Sequence, residues 1–410
     1  MSHFWTLTLF AAEEIPSALV TFVALLVFLQ LGAPVWLATL FAALLFLPWM
    51  LKSWGRSYVR RAGNFKYWIH LVELLMAVGL AAVAMAVNYG LWWTLGSLLI
   101  VSTLCSWHEL LARMYYERVL SVRQQRAYEP LKIVSSQMAV VLTYGLMLML
   151  VGVLQVYFRQ RSIAYSWSLG CYAMAGIFLL IALLHWLILE RSPRDGCMAV
   201  NTVSGSLRAE MRIIERISKR PLWWRHVLVL QLLLLPQGLM FLSRTVFLLD
   251  KSQGGGLGCT LQEIGFAQGT VGVIAFMLGI SLGRWMLGRI PHDNALQWTM
   301  YVSLGLSPLL YLAMAVSQPD SLFVLCMATL QAQFLFGFGL NGCRRHVRYI
   351  SGERYRTTVN LLYVPLISLC MFLPMALSGW MLTFLSYQQF FLIDLATAPV
   401  AWLAIKLLKK

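Results

Sequence analysis

The chain has 410 residues, 60% of them hydrophobic and 12% charged, with a formal net charge of +16 at pH 7 and a mean hydropathy of +0.73. Soluble domains carry roughly 45–50% apolar and about 25% charged residues, so this composition excludes a water-soluble globule and indicates a polytopic membrane protein. The seven Cys form no C-x-x-C pair and most sit in apolar runs, which argues against a disulfide framework or a zinc site.

A hydrocarbon core about 30 Å thick takes roughly 20 apolar residues per helix. That ruler predicts twelve membrane helices, approximately over 4–31, 36–52, 68–88, 91–114, 133–157, 166–189, 223–249, 262–288, 296–316, 321–343, 357–384 and 388–407. The first run lacks a basic leading segment and is too long for a signal-peptide core, so it is expected to stay as a membrane helix.

That first span contains Glu13 and Glu14, with Pro16 just after them. A carboxylate at a helix centre costs about 2.5–3.5 kcal/mol by insertion scales, so such residues face a cavity or a partner. Adjacent residues point about 100° apart on a helix, so one of the two is expected to face a cavity. Pro16 removes a backbone hydrogen bond and favours a kink or unwinding nearby, as in the discontinuous helices that build transport sites. Two readings stand: a substrate- or proton-binding carboxylate, or an inner-leaflet carboxylate paired with a loop Arg.

The fourth span carries His108 beside Glu109. No second His follows at helical spacing, so a metal site is not indicated. A proton relay or inner-gate pair and a satisfied structural pair both remain open. Glu73 and Glu263 lie nearer helix ends. The seventh span holds Arg244 toward its far end, where a guanidinium could hold a carboxylate or phosphate bidentately; the alternative is pairing with Asp250 or snorkelling to the interface. Gln231 and Gln237 in the seventh span, Gln331, Gln333 and Asn341 in the tenth, and Asn360 in the eleventh add polar groups that either touch a substrate or bridge helices. Asp394 stands alone in the last span and reads as structural. Trp92, Trp93, Trp167 and Trp223 lie near span ends and read as interface anchors.

Placing both termini in the cytoplasm puts 28 basic residues in inner loops and only Arg159, Arg161 and Lys251 in outer ones, with Arg244 inside a span. This bias obeys the positive-inside rule and spreads the charge over alternate loops, which argues against a nucleic-acid partner. Six spans precede the polar stretch 191–222 and six follow it. The expected organisation is an N-terminal six-helix bundle at 1–190, a cytoplasmic linker at 191–222 and a C-terminal six-helix bundle at 223–410. In the linker, Leu207, Met211, Ile214 and Ile217 recur at helical spacing among Arg208, Arg212, Arg216 and Lys219, predicting a cationic amphipathic helix on the inner surface. The loops "LPWMLKSWGRSYVRRAG" and "LGISLGRWMLGRIPHDN" each join small residues to Arg at an inner helix end, a repeat pattern that suits two parallel halves.

Several stretches are similar to the major facilitator superfamily, and within it to AmpG-type muropeptide permeases. They are "IGFAQGTVGVIAFMLGISLGR" (Ile264–Arg284), "QFLFGFGL" (Gln333–Leu340), "LPMALSGWMLTFLSYQQFF" (Leu373–Phe391), "EEIPSALV", "LPWMLKSWG" and "SWHELLARMYY" (Ser106–Tyr116). The resemblance implies the all-α, twelve-helix fold of that superfamily in a bacterial inner membrane. It also implies proton-coupled uptake of an anionic, muropeptide-like cell-wall fragment by alternating access. Arg60 and Arg113 stand where that group has Asp, Glu109 replaces an Asp, and Ala332 stands where an acidic residue is expected. These departures put substrate and coupling ion in question and motivate the alternative of a non-transporting sensor or scaffold.

No Walker A sequence is present, so direct ATP drive is not indicated, and no enzymatic acid–base or metal constellation stands out. The expected partners are a small-molecule substrate, protons and the lipid bilayer, with no cofactor and a monomeric state. The expected substrate- or proton-binding residues are Glu13, Glu14, His108, Glu109, Arg244, Gln237, Gln333 and Asn341.

Overall fold

The computed structural model describes residues 4–52, 64–190, 212, 215–216, 218–219, 223–251, 254–299, 305–351 and 356–408. The expected amphipathic linker helix and the arginines at 56, 60 and 61 therefore lie almost wholly outside the described residues.

The described chain is helical: α1 (Trp5–Gln30), α2 (Val35–Lys52), α3 (Phe65–Ala86), α4 (Leu91–Val119), α5 (Val122–Tyr157), α6 (Ile163–Ile188), α7 (Trp223–Leu249) and α8 (Leu261–Leu287). There follow α9 (His292–Trp298), α10 (Leu309–Ser317), α11 (Leu322–Ser351), α12 (Arg356–Met381) and α13 (Tyr387–Leu408). Among the described residues ten helices are long and apolar enough to cross a membrane. The ninth expected span is represented by the short α9 and α10 on either side of 300–304, and the twelfth by the 22-residue α13.

Helix starts follow local chemistry. Ser121 caps α5 and Thr260 caps α8, each in a capping box closed by Gln124 and Glu263 respectively. Glu263 is thereby accounted for as a helix-start residue. Asn64 accepts from the Tyr67 backbone at the start of α3, and Ser162 does the same for Tyr165 at α6. α10 ends at Gln318 in the left-handed region, φ 45°.

The chain forms two compact units, Met1–Gly32 with Leu45–Glu210, and Ala33–Leu44 with Met211–Lys410. The helix α2 is thus divided, its first part belonging to the second unit and its last residues to the first.

In the first unit α1 and α5 run side by side in the same direction, joined by a polar ladder. Ser135 donates to the Leu7 carbonyl, Thr143 to the Ile15 carbonyl at 3.2 Å, and Gln155 to Gln30 at 2.7 Å. Phe22 stacks on Tyr144 at 5.0 Å. Each of these helices contains a π-helical turn, at Leu19–Val23 and Val141–Met147. The first begins three residues after Pro16, which cannot donate a backbone hydrogen bond; helix continuity survives with a widened turn of the kind common at functional sites.

In the second unit α8 and α11 approach at backbone distance. Gly279 and Gly283 form a G-x-x-x-G pair facing α11. A Cβ at Gly283 would meet the Phe338 carbonyl oxygen at 2.8 Å, and one at Gly337 would meet the Ile280 nitrogen at 3.0 Å. α7 packs on α12, where Gly238 leaves room for Pro374 and Gln231 donates to the Cys370 carbonyl at 2.8 Å. α12 also packs along the first part of α2, with Thr39 seated over Gly379.

Two of the expected interface anchors are corrected here, and Trp223 is one of them, buried at 8% exposure. Trp167 is no interface anchor: it is fully buried, and its indole N–H donates to Gln30 at 2.8 Å. The ring closes the end of the α1–α5 ladder, whereas Trp92 and Trp93 are 70% exposed, as anchors require.

Candidate functional site

Three polar constellations occupy the helical interior. The first lies in the N-terminal unit and gathers charges from four helices. Glu109 of α4 pairs directly with Lys52 at the end of α2 and lies 3.7 Å from Arg113 one turn along its own helix. Lys132 of α5 sits over the Phe10 ring at 4.1 Å. Glu13 and Glu14 of α1 face this group: Glu13 lies in the field of Glu109, Lys132, Lys52 and Arg113, and Glu14 in that of Glu13, Glu109, Lys132 and Lys52. Neither carboxylate makes an ion pair among the described residues, and Glu13 Oε2 is buried without a hydrogen-bond partner. Glu13, Glu14 and Glu109 are matched by Lys52, Arg113 and Lys132. The ionised group is neutral as a whole, which limits the cost of holding it away from water.

The second constellation is tied by Glu73. Its Oε1 accepts from His185 Nδ1 at 2.6 Å and from His108 Nε2 at 3.1 Å. All three side chains are fully buried. An ionised carboxylate only accepts, which assigns the proton to Nδ1 of His185 and to Nε2 of His108. These bonds join α3, α4 and α6 at one point. The sequence pairing of His108 with Glu109 is thereby corrected: the two side chains leave α4 in different directions, His108 toward Glu73 and Glu109 toward Lys52, because neighbours on a helix point about 100° apart. Glu73, placed by the sequence nearer a helix end, is a fully buried hub at the ninth residue of α3. Sequence reasoning missed His185 altogether, and no spacing in the sequence links positions 112 residues apart.

The third constellation lies in the C-terminal unit. Arg244 of α7 is 3% exposed and makes no ion pair among the described residues. With its oxygen turned toward the guanidinium, the Gln333 amide accepts from Nη2 at 2.8 Å and Nη1 at 3.0 Å. Two residues singled out separately in the sequence therefore meet. Around them Thr245 donates to Gln268 at 2.9 Å, and Tyr311 is hydrogen-bonded to Thr329 at 3.2 Å. The Phe241 ring lies 5.5 Å from the guanidinium carbon, and Phe336 and Phe276 continue the aromatic row. Gln268, Tyr311 and Thr329 were not anticipated; a GTVG-containing stretch gave no sign that Gln268 would turn inward.

The remaining expected residues divide. Gln237 is 3% exposed in the middle of α7. Asn341 donates to the Ile280 and Gly337 carbonyls at 3.0 and 3.1 Å, which spends its amide on the α8–α11 seam. Gln331 donates to the Leu306 carbonyl at 2.5 Å. Asp250 does not pair with Arg244; it accepts from Tyr387 at 2.8 Å. The Asn360 side chain is outside the described residues.

No family model matches the sequence, and no curated protein matches it. Solved structures do. The nucleoside transporter NupG superposes with a TM-score of 0.74 at 13% identity, covering 100% of both chains. A bacterial homologue of the human lysosomal transporter Spinster gives 0.69 at 15% identity, covering 98% of this chain and 96% of the other. The xylose transporter XylE from E. coli gives 0.64 at 12% identity, covering 98% and 95%. All are transporters of the major facilitator type. At these identities the likeness establishes the fold alone, an all-helical membrane architecture shared with these transporters. None of the three is described as moving a cell-wall fragment.

Proposed function

We propose that the chain is a secondary transporter of an anionic small solute, working by alternating access in a bacterial inner membrane. In this reading it has twelve spans, both termini in the cytoplasm and halves at 1–190 and 223–410 joined by the linker 191–222, and acts as a monomer. The observation that carries the proposal is Arg244: a buried guanidinium held by a neutral amide, with no carboxylate within ion-pair distance among the described residues. An uncompensated buried charge costs several kcal/mol, and an arriving carboxylate or phosphate relieves that cost while gaining charge-assisted hydrogen bonds. Gln333 fixes the plane of the guanidinium, Gln268, Thr245 and Tyr311 add neutral hydrogen-bonding groups, and the Phe241 row offers a face for an apolar or ring portion of the cargo.

Protons are the coupling ion in this reading, bound at Glu13 or Glu14. Protonating either one leaves Lys52, Arg113 and Lys132 in excess over the remaining carboxylates, and the local field then favours an anion. Such reciprocal linkage has the sign that symport needs. The finer reading of the cargo, a muropeptide-like cell-wall fragment, rests on the resemblance of Ile264–Arg284 and its companion stretches, and suits a solute that carries carboxylates on a sugar–peptide frame.

The test is uptake into proteoliposomes under an imposed proton gradient, with a panel of sugar acids, anhydro-muropeptides, phosphorylated sugars and their neutral analogues. Gradient-driven uptake of an anionic member, lost in Arg244→Ala and uncoupled from the gradient in Glu14→Gln, is the expected result. Uptake confined to neutral members, or unaffected by Arg244→Ala, overturns the anion assignment. Binding with no flux in any arm favours the sensor reading instead.

A further inference from the structure

The Glu73 hub lies outside both constellations used above, and its charge does not close. Glu73, His108 and His185 have no measurable exposure. An ionised Glu73 between two neutral imidazoles is a net negative charge in a helix bundle. No Lys or Arg makes an ion pair with it among the described residues. The cations described on the neighbouring elements face other groups. Lys52 and Arg113 face Glu109, Arg118 of α4 lies over the Phe65 ring at 4.2 Å, and Lys66 of α3 faces His70. On α1, which also packs against these helices, Glu13 and Glu14 face the Lys52–Glu109–Lys132 group. Among the described residues the ionised hub therefore lacks one positive charge that a proton could supply. It has places for that proton: His185 Nε2 and His108 Nδ1 are both buried without a partner, as is Glu73 Oε2.

The hub is extended toward one end of the span by a third imidazole. His70 stands one turn before Glu73 on α3, its Nδ1 3.7 Å from Glu73 Oε2. Its ring stacks on Trp186 with centroids 4.6 Å apart, and Trp186 is 61% exposed. His70 is five residues into α3, about 8 Å along the axis at 1.5 Å per residue, so it lies near one end of the span. A purely structural clamp needs only one imidazole or an amide to hold the carboxylate; three imidazoles around it make an exchange path.

We propose that Glu73, His108 and His185 form a proton-binding centre of the N-terminal unit, separate from Glu13 and Glu14, which takes one proton on an imidazole and exchanges it through His70. The added proton turns the hub from a net anion into an internal ion pair and tightens the junction of α3, α4 and α6. No bond other than N–H is made or broken. The proposal does not rest on the nature of the cargo or on Arg244.

The test uses the full chain in lipid nanodiscs with 15N-labelled histidine, followed by NMR from about pH 8 to about pH 5, the range in which imidazoles charge. The chain has seven histidines, so the expected result is read by difference: over that range one imidazolium signal arises in the wild type that is absent from His185→Gln or from His108→Gln and absent throughout the range from Glu73→Gln. His70→Ala should leave the signal but slow its exchange with water. A wild-type spectrum in which both buried histidines stay neutral across the range overturns the proposal, and so does a set of imidazolium signals from which neither His→Gln variant removes a member. The wild-type measurement stands even if Glu73→Gln does not fold.

Discussion

Removing the carboxylate of Glu109 tests whether the neutral charge group of the N-terminal unit is a packed ion-pair network or an incidental gathering. The Lys52 side chain is 6% exposed and that of Glu109 13%, so Glu109→Leu strands an ammonium that water cannot reach. Breaking a buried pair from one side costs about 3–5 kcal/mol. The second partner, Arg113, is 35% exposed and 3.7 Å away; a screened pair of this kind adds about 0–1 kcal/mol. Lys52→Met strands Glu109 from the other side and should cost a similar amount. The double variant removes both charges and fills the space with apolar groups, an exchange that is about neutral or even stabilising for buried pairs. It should lie within about 2 kcal/mol of wild type, so the cycle should return a coupling of about 4 kcal/mol or more, far above the roughly 0.5 kcal/mol within which independent sites add. The assay is reversible unfolding in mixed micelles for the four proteins. Single variants that each cost less than about 1 kcal/mol and add in the double would show that Lys52 and Glu109 are solvated separately, and the charge-balance argument for Glu13 and Glu14 would fall with them.

Gly337→Val should destabilise the C-terminal unit by about 1–3 kcal/mol through overpacking, since a Cβ there already meets Ile280 nitrogen at 3.0 Å and Phe276 carbonyl carbon at 3.2 Å; an unfolding midpoint equal to wild type would refute the close α8–α11 seam. Gln30→Leu leaves the Trp167 indole and the Gln155 amide without their shared acceptor, a loss of about 1–3 kcal/mol that Gln30→Glu should largely avoid in the same assay. Burial and the nearby Glu263 carboxylate push the Cys259 thiol up to about 11. At pH 8 only about a thousandth of it is thiolate, so maleimide labelling at this site should be slow and should accelerate about tenfold per pH unit up to that value. Fast, pH-independent labelling would contradict the burial.

Much of the architecture was readable because the signals are local. A run of about 20 apolar residues is a membrane helix wherever it occurs, and the Ser121–Gln124 and Thr260–Glu263 pairs announce helix starts within four residues. Arg244 and Gln333 stood out for a similar reason: a polar side chain in an apolar run is costly by itself, whatever it touches. The same logic named Glu13, Glu14, His108 and Glu109 as residues needing partners, and it stopped there.

Composition and hydropathy were enough to establish a helical membrane protein and to single out the side chains that hydrocarbon penalises, because that cost depends on each residue and its immediate neighbours. Which of them meet is a matter of helix rotation and register. His108 and Glu109 are adjacent in the chain, yet one joins His185 through Glu73 and the other joins Lys52. A turn of about 100° between neighbours sends them to different groups, and only the packing of α2, α3, α4 and α6 determines what waits on each side.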